Sequence, residues 1–288
     1  MKIIRHLSAS GPAYAVLQPD GTARATTGEL FDGLRLTEVT IKPGPLLAPL
    51  EPSTILGIGL NYRKHAEELG REVLNRPLLF LKSLNTVQNP GGVIELPRTL
   101  ASDAVDYEGE LAVVIGKTCK NATRENALDH VFGYLIANDI SARDWQFKLG
   151  GGQFCQGKSF DTFCPLGPFL LTRDELPAPA SLRLRTMVNG VLRQDGNTRD
   201  MLFDVPALIE FLSASKTLLP GTVILTGTPD GVGHSLKPPV YLKAGDTISV
   251  EIEHLGVLTN TVVEEPQSND QPHAITNQAC TASAGTTV

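Results

Sequence analysis

The sequence has little cysteine, no excess of basic residues and no long apolar run, and each of these absences excludes a class of protein. Its four cysteines show neither a CxxC pair nor a repeated spacing, so we expect reduced thiols in a cytosol-like compartment. Asp and Glu number 31 against 25 for Lys and Arg, which gives a net charge of −6 and no basic stripe for nucleic acid. The longest apolar runs, such as LAVVIG, are far too short to span a bilayer, and the N-terminus lacks the apolar region of a secretory signal. The sequence therefore predicts a cytoplasmic protein that has neither nucleic acid nor a membrane as its partner.

The composition is that of a folded protein with three parts. Hydrophobic residues make up 41% and charged residues 19% of the chain, which is enough apolar material for a sizeable core. Residues 1–52 contain short alternating segments that end in a proline cluster, so they predict a small β unit and a linker. Residues 53–265 carry the strong strand signals and predict one catalytic domain. Residues 266–288 contain almost no large apolar residue, and we expect them to be disordered.

Strand signals dominate the main body, and the predicted helices are few and short. The predicted segments are a strand at Thr54–Leu60, a short helix that Asn61 caps and Gly70 ends, strands at Leu78–Lys82, Val105–Ile115 and Gly133–Asp139, a helix at Thr123–His130, a hairpin turn at Asn189–Gly190 and a helix that opens at Asp204 with Pro206. This mixture predicts an α+β fold that is predominantly β, a roll or sandwich, and argues against a doubly wound sheet.

Two acids in the segment VDYEGELAVVI are candidates for metal ligands. Glu108 and Glu110 are two residues apart in a predicted strand, so their side chains share a face with Cα atoms roughly 7 Å apart. Carboxylates this close repel each other unless they are neutralised, and Mg²⁺ or Mn²⁺ prefers such oxygen ligands. Asp106 lies on the same face, and a solvated strand face is the alternative explanation. Asp139 ends an apolar strand where packing requires no carboxylate, and this favours a metal site with positions left open for substrate.

Four further residues are candidates for proton transfer and charge stabilisation. His65 and Glu68 are three residues apart on the short predicted helix, an arrangement that activates water, although a surface ion pair is the alternative. Lys158, in the segment QGKSFDTF, would stabilise an enolate or oxyanion beside a metal, or be an ordinary surface residue. Gln146 is a candidate for a neutral donor.

The segment LTGTPDGVG offers small residues that let a backbone amide and a hydroxyl approach an anion. These residues are Gly227 and Thr228, and an ordinary glycine-rich turn is the alternative. The segment lacks the spacing of a phosphate-binding loop, so ATP is not implied. The other histidines are isolated in the sequence, and we assign them to the surface: His6, His130, His234, His254 and His273.

The motifs VDYEGELAVVIGK, ANDISARDWQ, GKSFDTFCPLGP and ILTGTPDGVG, in this order, closely resemble the fumarylacetoacetate hydrolase family over residues 54–264. GKSFDTFCPLGP and KPPVYLKAGD are most similar to the branch called fumarylacetoacetate hydrolase domain-containing protein 2. The resemblance implies a mixed β-sandwich roll, usually a homodimer, with a small N-terminal extension. It also implies residue roles. Glu108, Glu110 and Asp139, but not Asp106, would bind Mg²⁺ or Mn²⁺, and Thr162 would support these metal ligands. Active-site positions are implied for His65, Glu68, Gln146, Lys158 and Thr228.

The resemblance further implies chemistry on 2-oxo acids that carry a second carbonyl or carboxylate, with the metal polarising the 2-oxo group towards an enolate. Our main interpretation is a hydrolase of the C–C bond in acylpyruvate-like 1,3-dioxo acids, with water activated by His65 and Glu68. The alternative on the same site is an oxaloacetate decarboxylase or keto–enol tautomerase, which the branch favours. A non-catalytic metabolite-binding dimer is a third interpretation, but mere binding requires neither the His65–Glu68 pair nor Lys158.

Overall fold

The computed structural model describes residues 1–177 and 179–267, and most of its regular structure is β-strand. In chain order the strands are β1 (Lys2–Ser8), β2 (Gly11–Leu17), β3 (Ala23–Glu29), β4 (Asp32–Ile41), β5 (Leu46–Leu47), β6 (Thr54–Gly59), β7 (Leu78–Lys82), β8 (Val87–Gln88), β9 (Val93–Leu96), β10 (Val105–Asp106), β11 (Gly109–Ile115), β12 (Val131–Asn138), β13 (Ser141–Ala142), β14 (Cys164–Thr172), β15 (Arg183–Val188), β16 (Val191–Asn197), β17 (Thr222–Leu225), β18 (Thr247–Ile252) and β19 (Gly256–Glu264).

The helices are short and stand between strands. The α-helices are α1 (Arg63–Glu68), α2 (Cys155–Lys158) and α3 (Val205–Ser213). The other helical turns are a π-helical turn at Trp145–Leu149 and 3₁₀ turns at Leu84–Thr86, Ala127–His130, Thr198–Asp200 and Gly233–Ser235.

The strands form three sheets. Twelve belong to one large sheet, in which the main path runs β4-β3-β2-β1-β14-β12-β11-β17-β6-β7, while β5 pairs with β1 and β8 with β14. Five form a second sheet in the order β16-β15-β18-β19-β9, and β10 pairs with β13 in a third. The β6–β17, β8–β14 and β9–β19 pairs are parallel, and the other pairs are antiparallel. The α+β, predominantly β fold predicted from the sequence is confirmed.

Strand β11 lies at the centre of the core because both of its faces are buried. Its odd-numbered side chains in the range Leu111–Ile115 belong to one hydrophobic cluster, together with Val250 of the second sheet. Its even-numbered side chains, Ala112 and Val114, belong to another cluster, together with Leu225 of β17. A strand with two buried faces requires apolar residues at successive positions, which explains the uninterrupted run LAVVI.

The segment predicted as one strand over Val105–Ile115 is interrupted at Tyr107 and Glu108. The first two residues form β10 and pair with β13, whereas β11 begins at Gly109. The interruption matters for function, because Glu108 stands in the break and the next acid, Glu110, stands on β11.

Gly109 is packed too closely for a side chain, and replacing it with Ala is expected to destabilise the protein by about 1–3 kcal/mol. A Cβ at this position would lie 2.3 Å from Thr186 Oγ1 and 2.9 Å from a methyl carbon of Val250. Chemical denaturation measures the change. In a Thr186→Ala background, which removes the closest atom, Gly109→Ala should cost clearly less, and an equal cost in both backgrounds would contradict this packing argument.

Asn61 does not cap α1, which corrects the sequence prediction. The helix begins after Tyr62, whose side chain makes no capping hydrogen bond. The Asn61 side chain instead donates to the carbonyls of Phe203 and Thr226 and accepts from the amide of Phe203. It therefore ties the segment after β6 to the segments before α3 and after β17. Gly70 ends the helix as predicted, with φ at +62° in the left-handed region.

The predicted hairpin and the predicted helix at Asp204 are confirmed. Asn189 and Gly190 have φ values of 52° and 75°, as a tight hairpin turn between β15 and β16 requires. The side chain of Asp204 caps α3 by accepting a backbone hydrogen bond. The helix predicted over Thr123–His130 is wrong in extent, since only the 3₁₀ turn Ala127–His130 forms there.

The N-terminal strands β1–β4 continue the large sheet, because β1 pairs antiparallel with β14. The boundary predicted at residue 52 stays a prediction, and the predicted disordered tail lies outside the described residues from position 268 onwards. The described cysteines, Cys119, Cys155 and Cys164, carry free thiols. None of the helices in residues 1–177 and 179–267 has the length and apolar composition that crossing a bilayer requires.

Candidate active site

Three carboxylates meet in the interior where β11 begins and β12 ends. Glu108 precedes β11, Glu110 lies on it, and Asp139 directly follows β12. Because β11 and β12 are antiparallel, with Gly109 opposite Asn138, their ends coincide, and the Asp139 amide donates to the Glu108 carbonyl at 2.8 Å. One carboxylate oxygen from each acid lies within 4.8 Å of the other two, and all three residues are buried. The fold thus brings together the three acids that the sequence singled out, here called the trio.

Two buried lysines neutralise part of the trio. Lys82 Nζ, at the end of β7, lies 2.6 Å from Asp139 Oδ1 and donates to the Ile140 carbonyl at 3.1 Å. Lys158 Nζ, at the end of α2, lies 2.6 Å from Asp139 Oδ2 and 2.8 Å from Glu108 Oε2. Burial disfavours a charged ammonium, but the adjacent Asp139 and Glu108 carboxylates outweigh it and raise the pKa of Lys158. Lys158 is therefore a buried cation, and its alternative interpretation as an ordinary surface residue is wrong.

Arg143 connects the trio with two further side chains. Its Nη1 lies 2.7 Å from Glu108 Oε1 and donates to Gln146 Oε1 at 2.9 Å. Its Nε donates to Asp106 Oδ2, also at 2.9 Å. Asp106 accepts two more hydrogen bonds from backbone amides of the 3₁₀ turn Gly233–Ser235. The contacts of Asp106 therefore orient the arginine, and its carboxylate stands apart from the trio.

The cations around the trio do not stabilise the charged forms of its three carboxylates equally. Burial opposes ionisation of Glu108, but the Lys158 ammonium and the Arg143 guanidinium hold the pKa of that carboxyl well below its usual range. Burial raises the pKa of Glu110 well above its usual range, and the charges of Asp139 and Glu108 raise it further. Glu110 is thus the member of the trio whose negative charge lacks a matching cation.

The trio fits a hard divalent cation such as Mg²⁺ or Mn²⁺. These ions prefer carboxylate oxygen, and the three acids offer oxygens within 4.8 Å of one another. A bound dication would also supply the positive charge that Glu110 lacks. Glu108 and Glu110 line an open cleft, so positions beside them stay accessible to a substrate.

His65 and Glu68 form a fixed pair on α1. The His65 Nδ1 lies 2.7 Å from Glu68 Oε1, and the other carboxylate oxygen accepts from the Gly231 amide at 2.9 Å and from Ser235 Oγ at 2.7 Å. Burial acts to raise the pKa of Glu68, but the hydrogen bonds from His65, Gly231 and Ser235 outweigh it and lower that pKa. His65 is 4% exposed, so the alternative interpretation as a surface ion pair is wrong.

Gly227 and Thr228 follow β17 and reach the trio from another side. The Gly227 amide donates to Glu110 Oε2 at 2.7 Å, so the anion that it binds is a carboxylate of the protein itself. The Thr228 hydroxyl donates to the Gly109 carbonyl at 2.9 Å and accepts from Gln194 Nε2 at 2.7 Å. The first residue of β11 is thereby fixed in position.

These groups face one cleft with a polar and an apolar side. Its volume is about 430 Å³, including the part open to solvent. The polar lining consists of His65, Arg71, Glu108, Glu110, Arg143, Gln146, Lys158 and Thr228, and the large apolar lining of Ile58, Leu60, Leu69, Phe80, Phe147 and Phe154. His65 and the two glutamates of the trio, which were predicted from distant motifs, therefore line one space.

Thr162 is not part of this arrangement. Its hydroxyl accepts from the Glu95 amide at 2.8 Å, and within residues 1–177 and 179–267 no hydrogen bond joins it to the trio. The side chain that does support the trio is Lys82, which the sequence analysis missed. Lys82 ends the apolar strand segment LLFLK, where packing requires no charge, and this is the same signal that identified Asp139.

Three of the histidines assigned to the surface need correction. His6 is buried, with 3% exposed, and His130 and His234 are half-buried, so none of the three is a simple surface residue. His234 lies beside Tyr241, with its Nδ1 2.8 Å from the tyrosine hydroxyl.

Replacing Lys82 with Met is expected to lower the free energy of unfolding of the metal-free protein by about 3 kcal/mol, because it leaves the buried Asp139 carboxylate without one of its cations. Added Mg²⁺ should recover part of the loss. Chemical denaturation with and without Mg²⁺ measures both effects. The matched control is Arg183→Met, which breaks the exposed Arg183–Asp195 pair and should change stability far less. Equal losses in the two variants would contradict the assignment.

Comparison with known proteins shows a match between this chain and one protein family. The family described as fumarylacetoacetate (FAA) hydrolase C-terminal matches residues 54–263. Oxaloacetate tautomerase fahd2, mitochondrial, of Xenopus laevis is 50% identical over 219 residues, which are 76% of this chain and 68% of that protein. The crystal structure of 5-carboxymethyl-2-hydroxymuconate delta-isomerase from Mycobacterium smegmatis is similar with 38% identity and a TM-score of 0.81, over 92% of this chain and 100% of that one. Fumarylacetoacetate hydrolase from Exiguobacterium antarcticum has 39% identity and a TM-score of 0.80 over the same shares, 92% and 100%.

Proposed function

Since the chain belongs to the fumarylacetoacetate hydrolase family and is an enzyme, we propose that it catalyses the keto–enol tautomerisation of a 2-oxo acid that carries a second carboxylate, with oxaloacetate as the first substrate to test. The observation that carries the proposal is that His65, Lys158 and the two glutamates of the trio line one cleft, with Glu68 bound to His65 and Asp139 bound to Lys158 behind them. The names of two relatives support it, since one is called a tautomerase and another an isomerase.

Binding and charge stabilisation fall to the trio and to the donors beside it. A Mg²⁺ or Mn²⁺ ion held by Glu108, Glu110 and Asp139 would polarise the 2-oxo group and lower the barrier to enolisation. Lys158 donates two of its three ammonium protons to Glu108 and Asp139, which leaves one for the substrate oxygen on which negative charge develops. Gln146 accepts from the arginine through Oε1, so its amide N–H groups stay available to the same substrate.

His65 moves the proton. Because His65 Nδ1 is hydrogen-bonded to Glu68, Nε2 is the nitrogen that exchanges a proton with the substrate. In the keto-to-enol direction Nε2 takes a proton from the carbon next to the 2-oxo group, a proton from water completes the enol hydroxyl, and the imidazolium then returns its proton to water. In the reverse direction the enol hydroxyl gives its proton to water, and the protonated Nε2 delivers one to the carbon. Glu68, held by Gly231 and Ser235, orients the ring and stabilises the imidazolium that forms.

A substrate assay with and without a chelator tests the proposal. Oxaloacetate supplied as its enol should lose its enol absorbance faster with the Mg²⁺-loaded protein than without protein. After EDTA treatment the loss should fall to the spontaneous rate, and restoring Mg²⁺ should raise it again. No pyruvate or CO₂ should be released at a matching rate, because their release would identify the decarboxylase alternative. A rate of enol loss that never exceeds the spontaneous one would contradict the proposal.

Hydrolysis of the C–C bond in acylpyruvate-like 1,3-dioxo acids is the second candidate. The observation that favours it is the fixed His65–Glu68 pair, an arrangement that can activate water for attack on a carbonyl. The matching assay follows cleavage of acetylpyruvate and fumarylpyruvate to pyruvate. Metal-dependent cleavage of either one, together with inertness towards oxaloacetate enol, would replace the tautomerase by the hydrolase.

The homodimer that the resemblance implies is part of the proposal. Light scattering at micromolar protein concentration is expected to give twice the 30.9 kDa mass of the chain, and a species of 30.9 kDa would contradict it. We also propose a cytoplasmic location from the cysteine usage, although the Xenopus laevis relative carries the word mitochondrial in its name.

A further inference from the structure

The ring of Phe80 faces the ammonium group of Lys158 inside the site. Lys158 Nζ lies over this ring, 4.8 Å from its centroid, which is within the range of a cation–π contact. Both side chains line the cleft, and both are buried, with 6% of Phe80 and 1% of Lys158 exposed. Because water is largely excluded from the contact, the attraction between the ammonium and the ring face is stronger than it would be on a protein surface.

A glycine determines where this ring lies. Phe80 on β7 is the antiparallel partner of Gly57 on β6, and the ring leans across the glycine. A Cβ at residue 57 would lie 2.2 Å from the Cζ atom and 2.4 Å from the Cε2 atom of the ring. Any side chain at residue 57 would therefore push the ring away from its place over the ammonium.

Strand β7 brings a second group to the same cluster of charges. Phe80 and Lys82 are two residues apart on the strand, so their side chains share a face. Lys82 binds one carboxylate oxygen of Asp139 and Lys158 binds the other, each at 2.6 Å. The two lysines differ in one respect, since within the described part of the chain an aromatic ring lies under the Lys158 ammonium and none lies under that of Lys82.

The ring matters for the proton that Lys158 keeps free. The ammonium has three protons, and it donates two of them to Glu108 and Asp139. Residues 1–177 and 179–267 offer no third hydrogen-bond acceptor, so the ring face is the group that attracts the remaining N–H. A ring is a much weaker acceptor than a carboxylate or a carbonyl oxygen, and a substrate oxygen that gains negative charge displaces it easily. The ring therefore stabilises the charge of the lysine without competing for the proton that the reaction uses.

We propose that Phe80 is a positioning residue for the reaction. Its ring face holds the Lys158 ammonium beside Glu108 and Asp139, and it keeps water away from the third N–H until the substrate oxygen accepts that proton in a hydrogen bond. This inference rests on the proposed tautomerase function and adds the residue that prepares Lys158 for it. Phe80 acts through the lysine, and the chemical step stays with His65 and the trio.

Ring fluorination tests the role, because each fluorine withdraws electron density from the ring face and weakens its attraction for a cation while changing the shape of the side chain little. Phe80 is replaced by phenylalanine analogues of increasing fluorine content, up to pentafluorophenylalanine. With saturating Mg²⁺, kcat for oxaloacetate enol should fall stepwise, by roughly tenfold over the series, and KM should stay within about twofold. Phe80→Leu, which keeps an apolar side chain and removes the ring, should lower kcat at least as much.

The matched control is the same series at Phe154. Its ring lines the cleft beside that of Phe80, with the centroids 6.1 Å apart, but no cation of the described residues lies over it. Fluorination there should leave kcat within about twofold. A kcat that is independent of fluorine content at position 80, or equal losses at both positions, would overturn the positioning role while the proposed tautomerase stands.

Lysine ammonium NMR of the metal-free protein gives a readout that needs no turnover. The Lys158 ammonium protons should resonate upfield of those of Lys82, because they lie over a ring face, and Phe80→Leu should remove this difference. Ammonium resonances that stay unchanged in Phe80→Leu would overturn the contact and the inference with it. If the upfield shift is present but the unaltered protein never turns over the enol, the proposed tautomerase is wrong and the role of Phe80 in it falls as well.

Discussion

Replacing Glu110 with Gln is expected to lower oxaloacetate turnover roughly 10³-fold and to abolish Mg²⁺ binding. The change removes one of the three carboxylates that would hold the ion. The glutamine side chain would keep the shape of the glutamate and an oxygen for the Gly227 amide, and the substitution would remove a like charge beside Glu108 and Asp139. The fold should therefore persist. Mg²⁺ titration by calorimetry, steady-state kinetics and thermal unfolding measure the three effects.

Glu264→Gln is the control for this variant, because Glu264 is an exposed acid on β19 and does not line the cleft. It should leave both turnover and Mg²⁺ affinity unchanged. A Glu110→Gln protein that stays fully active after EDTA treatment would end the interpretation of the trio as a metal site.

Replacing His65 with Ala is expected to reduce kcat for tautomerisation about 10²-fold or more, with KM and Mg²⁺ affinity nearly unchanged. The reason is that the imidazole carries the proton, whereas the three carboxylates of the trio would hold the ion. His65→Gln should lower kcat similarly and keep a side chain that can bond to Glu68, which separates lost chemistry from lost folding. Glu68→Gln should give a smaller loss, because Glu68 acts through the histidine.

The same variant distinguishes the reactions that the family site can support. Decarboxylation needs the metal as electron sink but no base, so it should largely survive His65→Ala, whereas cleavage of acylpyruvates needs an activated water and should be nearly lost. An unchanged kcat for tautomerisation would show that another group moves the proton. A rise in KM with constant kcat would assign His65 to substrate binding.

The trio could be predicted because each acid violates its local pattern. Glu110 introduces charge into the otherwise apolar, buried strand β11, Glu108 stands just before that strand, and Asp139 directly follows an apolar strand. The same reasoning applied to Lys82 would have added it to the site. His65 and Glu68 were predictable as a pair because helical spacing alone places them on one face.

The features of the site that could not be predicted from the sequence depend on contacts between distant segments. The partners that fix Glu68 are Gly231 and Ser235, and nothing in their local sequence marks them as ligands of a carboxylate. Asn61 has the residue type and position of a helix cap, but the carbonyl groups of Phe203 and Thr226 bind it instead. The π-helical turn likewise depends on where its neighbours lie, so the hydrogen bond from Arg143 to Gln146 could not be foreseen.

The parallel pairing of β6 with β17 has a consequence for the synthesis of the protein. Strand β6 leads into α1 with His65, whereas β17 leads into Gly227, and the two strands are joined in register although they are far apart in the chain. On the ribosome, β6 and α1 emerge long before β17 is made. The edge of β6 that pairs with β17 therefore has no partner during most of translation. Pairing between such distant segments also closes a long loop, which slows folding. We therefore expect nascent and C-terminally shortened chains to lack the active site, and refolding chains to regain turnover only in their last kinetic phase.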